Sequence, residues 1–221
     1  MMSRQKLILV LAAAILMIGG FFLSASVYKS QRAEKLAAIE QASPVDNEFV
    51  RSYSQRLGSP EARVTLVEFI DPGCESCAAL SPHVKAIVEA HPGRVQLVVR
   101  YIPLHHGADV AVRILEAARK QGKYWETLQM MFATQAEWAS HHQPAPQKLG
   151  AYLPSLGLDM ARLQQDMQGA DIEGILQQDI ADAQTLGVRK TPTFFVNGRA
   201  LPRFSLAALQ ELVAEEIAAK Y

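Results

Sequence analysis

Cysteine is scarce in this chain: two residues in 221, at positions 74 and 77. A framework of several disulfides is therefore excluded. So is a four-ligand zinc site of finger type, because there is no second CxxC and no histidine pair follows at finger spacing. An excess of one charge is also lacking. Lys+Arg and Asp+Glu both count 22, which leaves neither a basic face for nucleic acid nor an acidic tail. Internal repeats and low-complexity tracts are absent. What remains is a globular composition, 49% hydrophobic and 20% charged, long enough for one ordinary domain and an appendage.

Long uncharged apolar runs are absent as well, with one exception. Leu7 to Val27 carries no charge, and as a helix it would extend about 32 Å, enough for the hydrocarbon core of a bilayer. It reads as a single membrane span within an anchor region at 1–28. The alternative, a cleaved signal peptide ending near Ser24-Ala25-Ser26, fits less well because such signals have apolar cores of about 7–15 residues. No cysteine stands after the run, so a lipoprotein is not indicated. Basic residues flank both ends (Arg4 and Lys6; Lys29, Arg32 and Lys35), and the positive-inside count does not orient the span. Residues 29–58 read as a spacer, with a short amphipathic helix closed by Ser43-Pro44.

From Arg63 onward the pattern is that of a domain, expected over 59–221. Val64 to Ile70 is strand-like, Ala78 to Ala90 helical, and Val95 to Ile102 strand-like again, a β-α-β unit that favours a parallel pair. Helical segments follow at 108–120, 123–138, 147–153, 159–167 and 172–186, an insertion over about 105–186. Thr193 to Val196 then reads as a strand, Asn197-Gly198 as a hairpin turn, Arg199 to Leu201 as its partner, and Ser205 to Lys220 as a capped final helix. The expected fold is an α/β sheet with helices on both faces.

The two cysteines sit at the start of the first of these helices, as Asp71-Pro72-Gly73-Cys74-Glu75-Ser76-Cys77. Unsatisfied N–H groups and the helix dipole stabilise a thiolate at Cys74, and Cys77, one turn on, is placed to resolve a mixed disulfide formed there. Glu75, adjacent to Cys74, is expected to oppose that thiolate by its charge. An inert disulfide, or a module that holds a soft metal such as Cu(I) between the same thiols, are the other readings. Glu68 lies inside an otherwise apolar strand, where a carboxylate is costly unless paired or protonated. Arg100 occupies a comparable place in the second strand, so a Glu68–Arg100 pair is expected; the alternative is that both face solvent on edge strands. The His105-His106 pair reads as a polar loop near the site.

Val67-Glu68-Phe69-Ile70-Asp71-Pro72 before the CxxC, the helical insertion, and Gly187-Val188-Arg189-Lys190-Thr191-Pro192-Thr193-Phe194-Phe195 near the end together resemble the DsbA-like branch of the thioredoxin superfamily. The resemblance covers roughly residues 59–221. It implies a thioredoxin fold, a redox-active Cys74–Cys77 disulfide, a cis-proline at Pro192 facing the CxxC, substrate pairing along Thr191, and a proton-handling role for Glu68 beneath Cys77. It implies no cofactor or metal ion. Its partners would be cysteine-containing client proteins and a redox partner protein in the membrane or periplasm, with no nucleic acid. Since two thiols suffice and spare ones would miswire in an oxidising compartment, the domain is expected on the periplasmic or outer side of the inner membrane, tethered through residues 7–27. The dipeptide Glu75-Ser76 departs from the Pro-His or Gly-Pro types of well-known members and leaves open whether the protein oxidises, isomerises or reduces.

Overall fold

The structure, a computed structural model, describes residues 46–139 and 144–221. The expected membrane span at 7–27 and the helix of the spacer lie outside these residues. Among the described residues, no helix is long and apolar enough to cross a membrane.

Five strands form one sheet: β1 (Gln55–Gly58), β2 (Val64–Ile70), β3 (Val95–Tyr101), β4 (Thr193–Val196) and β5 (Arg199–Ala200), in the order β1-β3-β2-β4-β5. β2 and β3 are parallel, as the β-α-β pattern requires, with helix α1 (Glu75–Ala90) between them in sequence. β4 runs antiparallel to β2 and turns into β5 through Asn197-Gly198, where both residues have positive φ, 48° and 81°. That is the backbone an Asn-Gly hairpin turn needs. A helix at Leu206–Lys220 closes the chain, with the Ser205 hydroxyl accepting from the Ala208 N–H as its N-cap.

β2 is the central strand, and its alternation decides what lies where. Leu66 and Ile70 join a core with Leu97 and Val99 of β3 and with the helices of the insertion. Val67 and Phe69 point the other way, into a second cluster with Val98, Ile102, Val188 and Phe195. By the same alternation Glu68 shares the face of Leu66 and Ile70.

The insertion comprises α2 (Ala108–Arg119), α3 (Tyr124–Ala133), α4 (Gln135–Trp138), 3-10 turns at Pro146–Ala151 and Leu153–Leu156, α5 (Met160–Asp166) and α6 (Ala170–Thr185). The helix expected over 123–138 breaks at Thr134, whose hydroxyl donates to the Met130 carbonyl at 2.9 Å, a local bond that competes with helix continuation. The segment expected as a helix at 147–153 is 3-10 in character, with Pro146 and Pro154 near the starts of its two turns.

The domain begins earlier than the boundary expected at 59. β1 lies wholly within the expected spacer, and residues 46–58 belong to the compact unit that runs to Tyr221. Side chains account for this: Arg51 donates to Asp182 at 2.8 and 2.6 Å, and the Tyr53 hydroxyl donates to Asp179 at 2.7 Å. These anchors on α6 are 126 or more residues away in sequence, beyond any local pattern.

Candidate active site

β2 ends at Ile70, and Asp71-Pro72-Gly73 turns the chain into α1. Asp71 is fully buried. One of its oxygens accepts from the Gly73 N–H at 2.7 Å, while the other accepts from the backbone N–H groups of Leu104 and His105 at 2.7 and 2.9 Å. His105 Nδ1 lies 2.8 Å from that second oxygen. One carboxylate thus holds the turn and the loop after β3 together. A methyl group at Gly73 would come within 2.8 Å of Pro144, so this close approach requires a residue without a side chain. From the insertion, buried Gln135 donates its amide to the carbonyls of Pro72 and Cys74, both at 3.0 Å.

Held this way, Cys74 is the N-cap of α1. Its thiol donates to the Thr191 carbonyl at 3.3 Å, across from the Thr191–Pro192 peptide bond, which is cis. The structure holds the dithiol form. The two sulfurs differ sharply. Cys74 is held down to about 5, chiefly by a hydrogen bond from Cys77; Thr191 and the backbone of Cys77 and Ser76 add to this, and burial opposes it. Cys77 is fully buried, and burial first, then its bond to Cys74 and the charges of Glu68 and Cys74, push its thiol far up. Glu75 is exposed, where water screens its charge, so the hydrogen bonds at the helix start outweigh its opposition.

Glu68 is buried on β2, and burial, followed by the charge of Cys74, raises its carboxyl to about 8. The expected Glu68–Arg100 pair is not formed. In the parallel register Glu68 stands beside Val99, and Arg100 beside Phe69, so alternation sends the two side chains to opposite faces. Nor do they face solvent on edge strands: β2 and β3 are interior strands of the sheet. Arg100 is fully buried and donates to Asp179 at 2.9 and 2.7 Å and to Asp182 at 2.5 Å. Glu68 instead lines a cavity of about 160 Å³ with Ile70, Ser81, Lys85, Trp125 and Phe132. Neutralisation, rather than an ion pair, is what burial imposes on it.

The structure therefore gathers Cys74, Cys77, Glu68, Thr191 and Pro192 at one place. It adds Asp71, His105 and Gln135 as supports. Asp71 and His105 carried a weak signal, a polar residue at a strand end and a histidine in a loop; Gln135 carried none, since a helical glutamine is ordinarily solvated.

The thioredoxin family profile matches residues 51–215. A thioredoxin-like oxidoreductase from Silicibacter pomeroyi DSS-3 is 33% identical, with a TM-score of 0.68 over 80% of this chain and 98% of that one. DsbA2 of Pseudomonas aeruginosa is 27% identical, with a TM-score of 0.58 over 71% and 92%. A Na(+)/H(+) antiporter NhaA of Herminiimonas arsenicoxydans is 35% identical over 72% of this chain, but over only 24% of its own length; the chain spans about a quarter of the curated relatives it matches. Profile and fold agree, and the chain belongs to the thioredoxin superfamily.

Proposed function

We propose that this protein is a membrane-tethered thiol:disulfide oxidoreductase that acts on protein cysteines in the periplasm or at the cell exterior. The observation that carries the reading is the geometry: Cys74 at the N-cap of α1 with its sulfur 3.3 Å from the Thr191 carbonyl beside cis-Pro192, and Cys77 fully buried one turn on. In the reducing direction, the Cys74 thiolate attacks a client disulfide, forming a mixed disulfide and releasing one client thiolate. Cys77 then gives its proton to a base and attacks Cys74 Sγ; the Cys74–Cys77 disulfide forms and the second client sulfur leaves as a thiolate. Client oxidation is the same sequence reversed. In the mixed disulfide Cys74 no longer carries the charge that helps to raise Glu68, so the carboxylate form of Glu68 becomes more accessible and serves as the base for the Cys77 proton. A thiol near 5 lies between the values of about 7 for thioredoxin and about 3.5 for DsbA, so a potential between roughly −270 and −120 mV is expected.

Replacing Cys77 with alanine is expected to accumulate mixed disulfides with clients, visible as thiol-sensitive adducts on non-reducing gels, whereas Cys74→Ala should give few. A folded Cys77→Ala protein without adducts would overturn the assignment of attacking and resolving thiols. In the Cu(I) reading the same two thiols would hold the metal as thiolates; stoichiometric copper retention with slow dithiol–disulfide exchange would favour it over the oxidoreductase.

The uncharged run at 7–27 supports the tether. Fractionation is expected to recover the full-length chain in the membrane, with the domain open to added protease once the outer envelope is breached. A soluble species beginning near Ser26 would sink the anchor.

A further inference from the structure

Beside Pro192 the surface carries cations without matching acids. A groove of about 240 Å³ is lined by Lys190, Pro192, Leu201, Arg203 and Phe204 among others, with no carboxylate in its lining. A second, of about 360 Å³, shares Lys190 and adds Arg189, again without a carboxylate. Among the described residues, Arg189 and Lys190 form no ion pair, and Arg203 reaches only Glu211, at 3.9 Å between two exposed side chains, a contact worth little. Lys190 Nζ lies 5.9 Å from the ring centroid of Phe204. Phe204 is 51% exposed, one of three large hydrophobics so placed among the described residues.

We propose that this groove selects client segments that carry acidic side chains near the reacting cysteine, their apolar neighbours covering Phe204 and Leu201. The proposal rests on the oxidoreductase reading and names the substrate class of that site. Charge complementarity carries it: two adjoining grooves hold three cations and no acid, next to the Thr191–Pro192 segment along which an extended client would pair. Such a field acts chiefly on association rate and fades with salt.

The test uses the full-length protein in detergent and two peptides with the same cysteine disulfide, one flanked by aspartate and one by lysine. At low salt the acidic peptide is expected to exchange about tenfold faster, with the ratio falling toward one at high salt and in a Lys190→Gln/Arg203→Gln variant. Rates are normalised to 2-hydroxyethyl disulfide, which is neutral and too small to fill the groove, so that altered thiol reactivity is not mistaken for altered selection. Equal rates for the two peptides, or a ratio that persists in the variant, would overturn the proposal while leaving the oxidoreductase reading intact. Exchange with neither peptide nor the small disulfide would overturn both.

Discussion

Alkylation of the reduced protein with iodoacetamide is expected to modify Cys74 with a pH midpoint near 5 and to leave Cys77 untouched under native conditions. At pH 7 an ordinary thiol is only about 3% ionised, whereas a group near 5 is almost wholly thiolate. That advantage is offset at neutral pH, because nucleophilicity falls with pKa at a Brønsted slope of about 0.4–0.5. The contrast therefore belongs to acid: at about pH 5.5 Cys74 should outpace free cysteine by roughly tenfold or more, and its rate should be flat above about pH 6.5 while that of free cysteine still climbs. The folded-state pKa of Cys74 is depressed, so its contribution to the reduced protein is present above the unfolded value near 9 and is lost as pH falls toward 5. A midpoint above about 7.5, or equal labelling of both cysteines, would show that the helix start does not hold a thiolate.

Glu68→Gln is expected to stabilise the reduced protein by up to about 3.5 kcal/mol at pH 7 and to slow resolution of mixed disulfides by about 10²-fold. Glu68 is raised from 4.5 to about 8. Its raised folded-state pKa means that it favours folding below pH 4.5 and loses that contribution progressively as pH rises to about 8. One unit corresponds to about 1.4 kcal/mol, and roughly 2.5 units separate 4.5 from neutrality, which sets the upper end of the gain. Denaturant titrations of both proteins at pH 4, 7 and 8 should show curves that coincide in acid and diverge toward alkali. A difference that does not change with pH would mean that Glu68 is not titrating in the folded protein. Stabilisation without slower resolution would assign the proton of Cys77 to another base.

Much of the fold was legible because its signals are local. The apolar runs of β2 and β3, the helix between them, the Asn197-Gly198 turn and the Ser205 cap each act through neighbours a few residues away, and each stands where the sequence places it. The cysteine spacing at a helix start was legible for the same reason. The register of β2 against β3 was not. Two polar residues in adjacent strands suggest a pair, but a one-residue offset puts Glu68 and Arg100 on opposite faces. Arg100 then meets Asp179 and Asp182, and Glu68 meets a cavity. Residues 46–58 joined the domain through Arg51 and Tyr53, whose partners lie on α6. The sequence by itself determined the elements, the two thiols and their place at the start of α1, since backbone propensity and side-chain periodicity are short-range. Only the tertiary structure decided that Glu68 is held neutral rather than paired, that Gln135 and Asp71 brace the Cys74 turn, and that Lys190 and Arg203 share a groove with Pro192, because burial and charge depend on neighbours that the chain brings together from far apart.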